Sequence, residues 1–298
     1  MLAPGLAGKL RYQTCIPLDK RFLFLAFGVL VLSVYLGLSA SRGALQEAVV
    51  SPRSGVEAGF SPRSGFEKTH ESVRIEKVNV QSSLELINLL QKNDLWDISN
   101  GSEVRTALLT NYPGDMDALE VKTKKKVFLN TLLSVARVAL DEIGLERERL
   151  QIILSKIGAP IQDVEFAVNN SGWKHLLSGS EVSFVKALTR KYRTRSADEL
   201  LRRVDIVPLS LILAQGALES SWGTSRFAVE GNNIFGMWTW EGRGMVPNRR
   251  DKGKTHKVEI YDSILDSVRT YLLTLNRLSA YQELRDIRQH SLDSVDLA

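Results

Sequence analysis

From residue 76 onward the apolar positions recur mostly three and four residues apart, the spacing of amphipathic helices. Residues 81–95 (SSLELINLLQKNDLW) place Leu84, Ile87 and Leu90 in this way. Val121 to Ile143 repeats the pattern with Phe128, Leu132, Val135 and Ala139, and Gly144 is the expected stop. Leu145–Ile157 and Ser180–Tyr192 also read as helices, and Ser196-Ala-Asp-Glu199 has capping-box spacing before a further short one. Strand signals are scarce until residue 234. Beyond it, HKVEIY reads as a strand carrying Glu259, and Gly242-Arg-Gly244 as a turn in a hairpin. The pattern predicts a mainly α-helical body of about 220 residues, either one domain or a small helical subdomain followed by a larger one.

The N-terminus follows a different pattern. Phe22 to Leu38 (FLFLAFGVLVLSVYLGL) is uncharged and follows Lys9, Arg11, Lys20 and Arg21. A positive flank stays in the cytoplasm. The expected topology is a cytoplasmic tail over 1–21, a membrane anchor or cleavable signal over 22–40, and the rest exported across the inner membrane into the periplasm. A cleavage after Ala40 would release it there. Ser51 to Glu67 holds a tandem repeat, SPRSGVE then SPRSGFE. Pro, Gly, Ser and Arg with few large apolar groups cannot bury a core, so 41–75 is expected to be a disordered linker.

Composition adds exclusions. The 298 residues are 44% hydrophobic and 24% charged, an ordinary globular balance. The only cysteine, Cys15, falls on the cytoplasmic side, which rules out an internal disulfide in the exported part. With four scattered histidines, no metal and no cofactor are expected. The net charge of +5 belongs mostly to the N-terminus: residues 1–70 hold eight Lys/Arg against four Asp/Glu. The body is nearly neutral, which argues against nucleic acid as a partner. Within it, Lys122, Lys124, Lys125 and Lys126 open a predicted helix, either as a contact for an anionic surface or, preferred, as a solvated face.

Chemistry concentrates in DIVPLSLILAQGALESSWGTSRFAVEGNNIFGMWTW, residues 205–240. Pro208 suits a helix start and Gly223 a helix end. Ile212, Gly216 and Glu219 fall at i, i+4 and i+7, so a carboxylate lies along the apolar stripe. Such a group is either paired or neutral with a raised pKa. A carboxylic acid kept protonated by its surroundings is what glycosidic cleavage needs as general acid, although such a group can also be purely structural. Asn232, Asn233, Phe235, Trp238 and Trp240 follow. Amides and indoles at that density suit sugar rings and their acetamido groups.

The stretch LAQGALESSWGTSRFAVEGNNIFGMW resembles the glucosaminidase family of peptidoglycan hydrolases (glycoside hydrolase family 73), and within it the Bax-type bacterial proteins. RVDIVPLSL, GMVPNRR and YDSILDSVRTYLLTLNRLSAYQELR extend the match over residues 195–298, with 80–194 matched only loosely and 1–75 not covered. The resemblance implies a lysozyme-like helical fold with a small β-hairpin lobe across a groove. It implies hydrolysis of the β-1,4 bond between N-acetylglucosamine and N-acetylmuramic acid in peptidoglycan glycan strands. Glu219 matches the catalytic acid, while Trp222, Asn233 and Phe235 match groove positions. Tyr261 matches a recurring aromatic, and Trp238 belongs to the same aromatic-rich segment. A second, water-positioning carboxylate is often carried by the β-lobe, where Glu241, Asp251 and Glu259 are the candidates. Two departures stand out: Gly216 replaces a usual Ala, and the chain stops short of a tyrosine-bearing helical segment that lines the groove in relatives. The second leaves a catalytically impaired wall-binding scaffold as an alternative. A lytic transglycosylase is another.

Overall fold

The computed structural model describes residues 77–96, 108–167, 172–248, 250 and 252–295. The expected anchor at 22–40 and linker at 41–75 lie outside the described residues. Among the described residues no helix is long and apolar enough to cross a membrane.

In chain order come β1 (Lys77–Val78), α1 (Ser83–Lys92), β2 (Leu108–Leu109), α2 (Val121–Ile157), α3 (Gly179–Tyr192), α4 (Ala197–Arg203), α5 (Leu209–Glu219) and α6 (Arg226–Gly231). The short strands β3 (Trp238–Thr239), β4 (Gly244–Met245) and β5 (Lys257–Glu259) follow, then α7 (Ile264–Arg277) and α8 (Gln282–Val295). The body is mainly helical, as the hydrophobic periodicity predicts.

The spine is α2, whose 37 residues span about 55 Å at 1.5 Å each. Two predicted helices are here one. Gly144 lies inside α2, and the stop is Gly158, in the left-handed conformation at φ 69°. A mid-helix glycine costs only about 1 kcal/mol, and buried Leu150 and Ile153 hold the continuation in place. Val127, Phe128, Leu132, Val135 and Ala139 line the buried face of α2, which packs on α5 and α7. Side-chain caps set several starts. Ser178 makes a full capping box with Glu181 at α3. At α4, Ser196 accepts from the Glu199 amide as its spacing predicts, but the Glu199 carboxylate turns to Arg203 instead of closing the box.

The small lobe is not a simple hairpin. Its strand order is β3-β5-β4, so β3 and β4 do not pair with each other, and β5 runs antiparallel between them. Gly244 stands opposite Glu259 and Trp238 opposite Val258. At position 244 a Cβ would come within 2.6 Å of the Lys257 Cβ, so glycine is required for β4 to approach.

Candidate active site

Helix α5 is apolar over most of its surface, with Leu211, Ile212, Gly216 and Ala217 buried. Gly216 marks its closest approach to the spine. A Cβ there would lie 2.5 Å from Leu132 Cδ2 and 3.2 Å from Ile234 Cγ2. The helix ends earlier than the position of Gly223 predicts. Glu219 is its last residue and Ser220 its cap. Ser221, Trp222 and Gly223 then take left-handed φ of 52°, 61° and 79°. Two of the three are not glycine, which costs about 1–2 kcal/mol apiece. Hydrogen bonds hold the turn against that cost. The Ser220 hydroxyl donates to the Gly216 carbonyl (2.6 Å) and accepts from the Gly223 amide (2.8 Å), while the Trp222 amide donates to the Ala217 carbonyl (3.0 Å). Glu219 is thereby fixed at a helix end and Trp222 is displayed three residues on.

Glu219 is half-buried, and burial raises its pKa above the usual carboxyl value. Gly236, at φ 62°, faces it: a Cβ there would sit 3.4 Å from Glu219 Oε2. Tyr271 of α7 lies within electrostatic reach of the carboxyl and is itself pushed above its normal range, chiefly by burial. Tyr271 stacks on Phe235 with centroids 4.0 Å apart and planes 8° apart.

The two asparagines tie this loop to the β-lobe. Asn232, left-handed at φ 50°, caps α6, and its amide donates to the Tyr261 carbonyl (3.1 Å). Asn233 is 1% exposed; its Nδ2 donates to the carbonyls of Met237 and Glu259 (2.8 Å each) and its Oδ1 accepts from the Met237 amide (2.9 Å). Asn233 and Phe235 therefore face inward.

The structure separates the candidate second carboxylates. Glu241 is exposed at a loop tip, and Asp251 lies outside the described residues. Glu259 is half-buried on the central strand, and its Oε2 accepts from the Tyr261 hydroxyl at 2.9 Å. Burial, and secondarily this carboxylate, raises the Tyr261 pKa far above its ordinary value. Trp238 is half-buried and stacks on His256 at 4.2 Å and 11°. Trp222 meets Phe128 edge-on at 5.8 Å, and Lys125 Nζ stands 4.8 Å above its ring.

Tyr271 and Gly236 enter the site without having been singled out from sequence, and Phe128 was read only as an apolar helix position. Tyr271 sits on the stripe Ile264, Val268, Tyr271, Leu275, which reads as core. The Lys122–Lys126 run is divided: Lys124 pairs with Asp117, Lys126 lies over Trp96, and Lys125 covers Trp222.

The site thus holds a half-buried acid at the end of a helix, facing a glycine turn tied to a small sheet. Residues 194–296 match the family model described as "Glucosaminidase: Mannosyl-glycoprotein endo-beta-N-acetylglucosaminidase". This segment is similar to a glucosaminidase domain. The chain is also similar to "Protein bax" of Escherichia coli (strain K12), with 33% identity over 119 residues. The match takes in 37% of this chain and 42% of that relative, so the chain spans less than half the length of the curated protein it resembles. No solved structure matches significantly.

Proposed function

We propose that the protein is a peptidoglycan hydrolase that cleaves the β-1,4 bond between N-acetylglucosamine and N-acetylmuramic acid, with Glu219 as general acid. The observation that carries this reading is the placement of Glu219: last residue of a buried helix, raised in pKa by burial, beside Gly236 and Tyr271. The protonated carboxyl donates to the glycosidic oxygen as the C–O bond breaks, and positive charge develops on the sugar ring. Water attacks the anomeric carbon from the other face. Of the described candidates to take its proton, Glu259 is the better supported, because Tyr261 orients its carboxylate and Asn233 ties its strand to the Gly236 loop. Trp222 and Trp238 offer aromatic faces for sugar rings. Phe22–Leu38 anchors the chain in the inner membrane with the body in the periplasm. Its positive flank supports this topology, and a reporter fused after residue 75 should behave as exported.

The deciding experiment is mass analysis of the products released from purified sacculi. New reducing N-acetylglucosamine ends are expected. Anhydro-muramic ends would make the protein a lytic transglycosylase, and the absence of products would leave a wall-binding scaffold.

A further inference from the structure

Gln215 lies one turn before Glu219 on α5. Residues four apart share a helix face with Cβ atoms about 6 Å apart. Gln215 is 0% exposed, and neither its Oε1 nor its Nε2 has a hydrogen-bond partner among the described residues. A buried polar group left unpaired forfeits its hydration with nothing in return. An apolar side chain of similar size would avoid that cost, and the neighbouring buried positions Leu211, Ile212 and Ala217 are all apolar. A core position that keeps an unpaired amide against stability calls for a function.

We propose that Gln215 is a positioning residue for Glu219: its Nε2 donates to the carbonyl oxygen of the protonated carboxyl, leaving the carboxyl hydroxyl free to point at the glycosidic oxygen. This rests on the general-acid reading above. The bond is not formed in the structure, which is common for catalytic hydrogen bonds that tighten only in the Michaelis complex. The proton still travels from Glu219 to the leaving oxygen; Gln215 decides which carboxyl oxygen carries it. The titratable group facing Glu219 from α7 is Tyr271. The Gly236 loop (Asn232 to Met237) has no titratable side chain, and the spine residues beneath α5 are Phe128 and Leu132.

Gln215→Met and Gln215→Leu in the full chain test this. Both should melt at or above the wild-type temperature, since an unpaired amide is removed. Turnover on sacculi should fall roughly 10- to 100-fold with KM within about threefold. The alkaline limb of the kcat profile should move to higher pH, because an N–H donor stabilises the carboxylate and its loss favours the neutral form. Wild-type turnover with an unmoved limb in both variants overturns the proposal, as does a loss of turnover that only tracks a lowered melting temperature. If wild type itself releases nothing from sacculi, the hydrolase reading fails and this proposal fails with it. A positive wild type separates the two failures.

Discussion

At Glu219, chemistry and stability pull in opposite directions. A folded-state pKa above the unfolded value means that the native state binds more protons, so this group's contribution to stability falls as pH rises from the unfolded pKa through the raised one. Above both values the cost is complete. Glu219→Gln removes it. The variant should match the wild-type melting temperature near pH 4 and gain on it as pH approaches 7, as scanning calorimetry at several pH values will show. Cleavage of sacculi by the same variant should drop by at least about two orders of magnitude, since the transferable proton is gone. Wild-type activity should decline on the alkaline side as Glu219 ionises. Ser221 offers a contrast. It is exposed at φ 52°, so Ser221→Gly relieves left-handed strain while enlarging the entropy of the unfolded chain. A net gain of up to about 1 kcal/mol in urea denaturation is expected. The placement of Glu219 on an apolar stripe was legible because helical spacing alone dictates it. The early end of α5 was not, because Ser221 and Trp222 adopt a conformation that their side chains disfavour and that the Ser220 hydrogen bonds enforce.

Between elements, the fit of α5 on α2 depends on one missing methyl. By propensity alone, Gly216→Ala should strengthen the helix by up to about 1 kcal/mol. The Leu132 Cδ2 atom 2.5 Å from the new Cβ reverses the sign. Overpacking of about 1–3 kcal/mol wins, for a net loss of roughly 1–2 kcal/mol. Leu132→Val in the same chain should recover part of it, a coupling that a double-mutant cycle measures directly. The β-lobe depends instead on Asn233. Asn233→Ala strips partners from the carbonyls of Met237 and Glu259 and from the Met237 amide, and should cost about 2–4 kcal/mol. The order β3-β5-β4 was hidden from sequence because strands of two or three residues carry almost no alternation, whereas the stripe Phe128, Leu132, Val135 and Ala139 of α2 was readable, though not its run past Gly144.

Over the whole molecule, residues 194–296, which match the glucosaminidase model, pack on residues that precede them. Phe128 and Leu132 of α2 lie beneath α5, and the Thr110 carbonyl accepts from the Ile264 amide at the start of α7. A fragment beginning at residue 194 exposes this apolar floor and should show no cooperative melt by circular dichroism, while residues 77–298 should melt in one transition. Sequence reading placed the chemistry in the later segment because its residues are contiguous. It could not see that the earlier helix forms the floor, because nothing in the spacing of α2 says which partner it packs against.

The close fit of Leu132 against Gly216 also bears on inheritance. The two positions lie on opposite sides of residue 194, so a substitution tolerated at one constrains what drift can do at the other. Homologues with alanine at the place of Gly216 should carry a shorter side chain at the place of Leu132. Recombination that exchanges only residues 194–296 between such lineages should yield chimaeras that fail until α2 is exchanged with them.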